Sequence, residues 1–244
     1  MILEGKNVLI TGSAVRLGKR IALDLAQNGA NIIIHYYKSL AAAKTTQKKI
    51  QSTGTKAEII KADLRYPSEI KSLISTAIKS FGNLHILINS ASVFYNTPLP
   101  KINAKQWNNI LNINLSGVFF CSKYAGLHML NNNMGKIINI SDIGGIIPWK
   151  NYSAYCISKS AVIALTKSFA KELAPSVQVN AIAPGTVLLK KNNKSEEKDR
   201  IASKNLLKRI GSPSDIINCI KFLIESDFIT GSTFIIDGGQ LIKK

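Results

Sequence analysis

The sequence of 244 residues is poor in cysteine, proline, tryptophan and acidic side chains, and each scarcity removes a class of protein. Its three cysteines, Cys121, Cys156 and Cys219, are odd in number, far apart and set inside apolar patterns. That excludes a disulfide scaffold and points to reduced thiols in a cytoplasm. The 16 glycines and 7 prolines fall between periodic apolar segments rather than in runs, so collagen-like and low-complexity classes are excluded. No stretch reaches the ~18 unbroken apolar residues of a membrane span. The opening Met1-Ile2-Leu3-Glu4-Gly5-Lys6 lacks the basic, apolar and cleavage segments of a signal peptide. Acids number 14 against 32 basic residues, a net charge of +18.

Such an excess invites a nucleic-acid reading. Yet 27 of the basic residues are Lys and 5 are Arg, whereas bases and phosphates are read best by the forked guanidinium. The chain also holds 21 Asn and 36 Ile, which share AT-rich codons with Lys. The surplus therefore reads as codon composition, and no nucleic-acid partner and no membrane are expected. Local positive potential still favours anionic ligands.

What the chain has in plenty is aliphatic residues in two alternating periods. Short continuous runs (Asn7–Thr11, Asn31–His35, Ala57–Lys61, Leu84–Asn89, Lys136–Ile140, Val177–Ile182, Ser232–Ile236) read as strands buried on both faces. Between them lie helical spacings over Leu17–Asn28, Leu40–Ser52, Ser68–Phe81, about Ala104–Met129 and Tyr152–Leu173. A last helix opens at Ser212-Pro213-Ser214-Asp215 with a cap, a first-turn proline and an acid at the third position. Alternating βα units require parallel strands and right-handed crossovers. The fold class is α/β: one doubly wound Rossmann-type domain over residues 1–244, with a parallel sheet of about seven strands flanked by helices. Residues 184–210 lack a clear pattern. From Val187 to Ile210 they carry eight basic and three acidic residues, either a solvated charged loop or a basic lid on the ligand side of the sheet.

The first strand runs into Thr11-Gly12-Ser13-Ala14-Val15-Arg16-Leu17-Gly18 and then a helix. Glycines in the first βα turn let the backbone approach a pyrophosphate at the helix N-terminus. Arg16, between the glycines, is expected to face the cleft. An NAD enzyme places an acid at the end of the second strand for the ribose 2′-hydroxyl. This chain has His35-Tyr36-Tyr37-Lys38-Ser39 there, with no acid, which favours NADPH. Asp63, followed by Leu64, either accepts from the adenine amino group or closes an Asx-type turn. Tyr155 and Lys159 lie one helical turn apart, so a cation can act on a phenol whose pKa of ~10 is otherwise too high for neutral-pH chemistry.

Together these residues resemble the short-chain dehydrogenase/reductase superfamily over nearly the whole chain. The matching motifs are Thr11-Gly12…Gly18, Asn89-Ser90-Ala91-Ser92, Asn112-Ile113-Asn114-Leu115, Tyr155…Lys159, Pro184-Gly185 and Asp237-Gly238-Gly239. The resemblance implies Tyr155 as proton donor, Lys159 as the partner that lowers its pKa and contacts ribose, and Asn114 as holder of a relay water. It implies a cofactor lined by Asn89, Ser90, Ala91, Pro184 and Gly185. It also implies a homotetramer built on the long fourth and fifth helices, 104–129 and 152–173, with Phe120 and Cys121 at an interface rather than in a core.

Thirteen residues before the tyrosine most of the superfamily carries a Ser; here that position is Asp142, with Ser141 next to it. An ionised carboxylate cannot donate to a ketone oxygen, but it can accept from ring N–H and amino groups; the other reading of Asp142 is a residue that only caps its loop. Asp142, Arg16 in the glycine turn and the run Ser92-Val93-Phe94-Tyr95-Asn96-Thr97-Pro98-Leu99 resemble pteridine reductases and dihydromonapterin reductases. By that resemblance Phe94 stacks on the pterin, Arg16 and Ser92 meet its polar edge or the pyrophosphate, and Lys38 and Ser39 hold the 2′-phosphate. The expected activity is NADPH-dependent reduction of a pterin or folate, with Asp142 and Tyr155 at the substrate and no metal. The alternative is a carbonyl reductase of the 3-oxoacyl-thioester type.

Overall fold

A computed structural model describes residues 1–189 and 195–243. Seven parallel strands, β1 (Asn7–Ile10), β2 (Asn31–Tyr36), β3 (Ala57–Lys61), β4 (Ile86–Asn89), β5 (Gly135–Ile140), β6 (Val177–Pro184) and β7 (Thr233–Ile236), form one sheet. Their order is β3-β2-β1-β4-β5-β6-β7. The order reverses between β1 and β4, and doubly wound sheets bind ligands in the crevice beyond the carboxyl ends of the strands at such a point. Leu9 pairs with Ile33 on one side and Leu87 on the other, which fixes the register at that point.

Alternate residues of each strand feed two cores. Val8, Ile10, Ile32 and Ile34 pack under α1 (Arg16–Gln27), α2 (Leu40–Gln51) and α8 (Pro213–Glu225). Leu9, Ile33, Leu87 and Ile137 pack under α3 (Pro67–Phe81), α5 (Gly117–Asn131) and α6 (Ser153–Leu173). Strands covered on both faces have no polar side to show, hence their unbroken Ile, Leu and Val runs. Each fully buried aliphatic side chain contributes about 1.5–3 kcal/mol of transfer free energy.

Two regions differ from the sequence reading. The expected single helix over 104–129 is α4 (Ala104–Leu111), a π-helical stretch over Asn112–Ser116, and α5 in continuous succession. The patternless stretch after β6 contains α7 (Ser195–Ser203), which buries none of its residues. Part of the basic loop, residues 190–194, lies outside the described residues. Cys121 sits in the core of this chain rather than at its surface, and burial pushes its thiol up to about 12. Among the described residues no helix is long and apolar enough to cross a membrane.

Candidate active site

The crevice floor is the β1–α1 turn. Gly12 has φ of +68°, and a Cβ there would lie 2.9 Å from the Cα of Ala91. A Cβ on Gly18 would lie 2.6 Å from the Gly12 carbonyl oxygen. Thr11 ties the turn to the end of β4, its Oγ1 accepting from the N–H groups of Ser90 (2.9 Å) and Ala91 (3.0 Å). No side chain caps α1 and no acid stands in its first turn, so its N-terminal dipole is free for an anion. Arg16 is exposed and holds φ of +52°, a strained value for a non-glycine residue. Leu17 packs on the core below, and Gly185 donates to the Ile236 carbonyl, drawing the ends of β6 and β7 together. Pro184 is the buried last residue of β6. A turn that admits no Cβ beside an uncapped helix start fits the pyrophosphate of a dinucleotide.

Four residues assigned to the cofactor are engaged within the protein. His35 is 2% exposed, accepts from the Gly12 N–H at Nδ1 (2.9 Å) and donates from Nε2 to the Ala62 carbonyl (3.0 Å). Both nitrogens are taken, so His35 builds the turn and cannot also bind a 2′-phosphate. Burial lowers its pKa from 6.5 to about 4, so the ring is neutral. Asn89 is buried, and its Nδ2 donates to Ser122 Oγ (3.0 Å) and Asn139 Oδ1 (2.8 Å) inside the protein, so its amide nitrogen is not available to a cofactor. Leu64 is buried against the other core. Asp63 accepts from the Arg65 backbone N–H at 3.1 Å, the Asx turn, and from the Arg65 guanidinium. Tyr37 and Lys38 are exposed, and Ser39 precedes α2 without using its hydroxyl as a cap.

Beyond β5 the chemistry gathers. Tyr155 donates from its hydroxyl to Asp142 Oδ2 at 2.8 Å, and the Gly144 N–H donates to Asp142 Oδ1 at 2.8 Å. Ser141 faces the other way and donates to the Lys159 carbonyl at 2.8 Å. Lys159 is 3% exposed; its Nζ donates to the Ile140 carbonyl at 2.8 Å and lies 5.8 Å from the Tyr155 ring centre. Burial lowers the Lys159 pKa from 10.5 to about 8. Burial first, then the Asp142 charge, holds the Tyr155 phenol well above 10. The resemblance implied the opposite direction; a carboxylate at hydrogen-bond distance outweighs the more distant ammonium. Asn114, fully buried in the π-helical stretch, accepts from the Val93 N–H (2.8 Å) and donates to the Val93 carbonyl (3.0 Å). Its side chain thus fixes the loop after β4, and only its backbone is left to hold a water. Inserted π turns are frequent at functional sites because they offset side chains from α-helical register.

Phe94, 55% exposed, lies against Tyr155 edge to face at 4.7 Å and stacks on Tyr152 at 4.8 Å with an 8° tilt. Trp149 completes the wall, 6.2 Å from Tyr155. Ser92 is exposed at the start of the same loop. Tyr152, Trp149 and Arg65 were not singled out from sequence. The i, i+3 spacing of Tyr152 and Tyr155 was available as a signal, whereas Trp149 stands in an irregular segment with no period to flag it.

A doubly wound sheet, a glycine turn at its switch point and a Tyr–Lys pair on the helix after β5 define a nucleotide-dependent oxidoreductase. A family model described as enoyl-(acyl carrier protein) reductase matches residues 12–240. The 3-oxoacyl-(acyl-carrier-protein) reductase FabG of Staphylococcus aureus is 33% identical over 240 residues, 96% of this chain and 98% of its own length. The corresponding reductase of Synechocystis is also 33% identical, covering 98% of each chain. Acetoin dehydrogenase from Enterobacter cloacae superposes with a TM-score of 0.90 at 32% identity, over 98% of this chain and 97% of that one. A dehydrogenase/reductase from Sinorhizobium meliloti superposes with a TM-score of 0.89 at 28% identity, over 97% and 95%. The chain belongs to the short-chain dehydrogenase/reductase superfamily and is an oxidoreductase that uses a nicotinamide cofactor.

Proposed function

We propose that this enzyme uses NADPH to reduce a pterin, dihydropterin to tetrahydropterin, with folates as further substrates. Bound NADPH would supply the hydride. The observation that carries the reading is the pair of hydrogen bonds on Asp142: one oxygen accepts from Gly144 and the other from Tyr155. An ionised Asp142 has no proton to offer a ketone, and its charge opposes the negative charge that grows on a carbonyl oxygen during reduction. It suits a ring that presents N–H and amino donors. Tyr155, held neutral across physiological pH, acts as proton donor rather than base. Asp142 orients the phenol, the buried Lys159 balances the carboxylate, and exposed Phe94 offers a ring face that positions a flat substrate.

A second reading, reduction of a 3-oxoacyl thioester, is favoured by whole-chain similarity: the two curated relatives above are 3-oxoacyl-(acyl-carrier-protein) reductases. The two readings separate in one assay. NADPH and NADH oxidation at 340 nm is followed with dihydrobiopterin, dihydromonapterin, dihydrofolate and acetoacetyl thioester. Turnover of a pterin with NADPH supports the first reading. Turnover of the thioester alone overturns it and establishes the second. In either case we place the enzyme in the cytoplasm as a homotetramer, with the α4–α5 rod and α6 in the contacts.

A further inference from the structure

Off the carboxyl ends of β2 and β3 stands a basic cluster built on Arg65. Its guanidinium donates from Nε to both oxygens of the buried Asp63 (2.9 and 3.0 Å) and from Nη2 to Asp63 Oδ2 (2.5 Å). Nη2 also donates to the Tyr37 hydroxyl at 3.0 Å. A fork held at three points on a carboxylate is fixed in orientation, unlike the flexible ammonium of a surface lysine. Tyr37 lies between two cations: the Arg65 guanidinium carbon is 5.6 Å from its ring centre and Lys38 Nζ is 5.3 Å away. Among the described residues Nη1 has no partner, so two donors of this immobilised cation remain available. The nearby acids are committed, Asp63 to Arg65 and Glu69 to the Asp63 N–H at 2.7 Å. Ser39, at the start of α2, has a hydroxyl free of capping, and no acid stands in that helix's first turn.

We propose that Arg65 is a specificity-determining residue that, with Lys38, selects the phosphorylated ribose of NADPH over the free 2′-hydroxyl of NADH. This rests on the NADPH part of the proposed function and extends it: the cation comes from the loop after β3, not only from the end of β2. Asp63 then serves to position Arg65, and its carboxylate is neutralised where a bare charge would repel a phosphate.

The test measures binding of 2′,5′-ADP and 5′-AMP by calorimetry, without turnover, to the wild type and to Arg65→Gln, Arg65→Lys, Lys38→Gln and Asp63→Asn/Arg65→Gln. Wild type should bind 2′,5′-ADP at least ~10-fold more tightly than 5′-AMP, as one charge-assisted contact allows. Arg65→Gln should lose most of that preference while 5′-AMP affinity changes by less than about threefold, and Arg65→Lys should recover only part. The double variant, with no uncompensated carboxylate, should remain as weak as Arg65→Gln. Its recovery would mean that Asp63 repulsion, not loss of the Arg65 contact, caused the defect. A wild type without preference would overturn the NADPH reading together with this proposal. A preference that survives Arg65→Gln but not Lys38→Gln would leave NADPH standing and remove Arg65. Equal losses on both ligands would make Arg65 structural.

Discussion

Asp142 and Tyr155 share one hydrogen, and the sharing sets the direction of the chemistry. The phenol stays protonated, so a proton is ready for a reduced product, while the carboxylate stays beside it at a desolvation cost. Burial raises the Asp142 carboxyl above its ordinary 3.8. A proton bound more tightly in the folded chain than in the unfolded one stabilises the fold fully below pH 3.8. That stabilisation is lost as pH rises through the higher folded-state value. Asp142→Asn removes the dependence, so urea unfolding should show the variant gaining on the wild type between pH 4 and pH 7; a constant difference would count against a desolvated carboxylate. Asp142→Ser should lower pterin kcat/KM by roughly 10²-fold or more with NADPH affinity near normal. Unchanged turnover would remove Asp142 from the mechanism. The residues of this cluster were legible from sequence because spacing and motif order fix them. Their electrostatics were not, since the Tyr155 direction depends on a distance across the site.

The β1–α1 turn shows the same division at the scale of elements. Its glycines and the strand–turn–helix order can be read from residues 7–27, but the part of His35 cannot, because it joins backbone groups from two distant loops. A lowered His pKa means stability present above 6.5 and lost as pH falls through about 4. His35→Ala should cost ~2–4 kcal/mol at pH 7 by leaving the Gly12 N–H and the Ala62 carbonyl without partners. It should also flatten the loss of stability that the wild type shows between pH 6.5 and pH 4. Denaturation curves at both ends of that window check both expectations. Helix and strand periods located nearly every other element. They failed over 112–116, where a π turn keeps the helical spacing of apolar residues, and over 195–203, where α7 buries nothing and so leaves no pattern.

For the whole molecule, the seven-stranded sheet and its two cores follow from aliphatic runs, whereas the assembly does not. The surface carries apolar residues on the helices over the β4–β5 side: Phe119 (39% exposed) and Leu127 (48%) on α5, and Ile157 (48%) on α6. A helix that is apolar on more than its core-facing side calls for a second partner. Light scattering should give the mass of four chains, and the pair Phe119→Asp and Leu127→Lys should lower it. A single-chain mass for the wild type at micromolar concentration would refute the tetramer.

The π turn also divides a long rod into two frames of reference. Asn114 within it grips Val93, while on α4 the Gln106 carbonyl accepts from the Tyr95 hydroxyl (3.2 Å) and Asn109 Nδ2 donates to it (3.2 Å). The loop bearing Phe94 is therefore tethered both within the π-helical stretch and upstream of it. Were the rod regularised by dropping its surplus residue, everything upstream would swivel by about 100°. The two tethers would then pull the loop in different directions. One extra peptide unit thus works as a phase shifter, letting a single continuous rod serve two clients that ideal helical geometry would keep out of step.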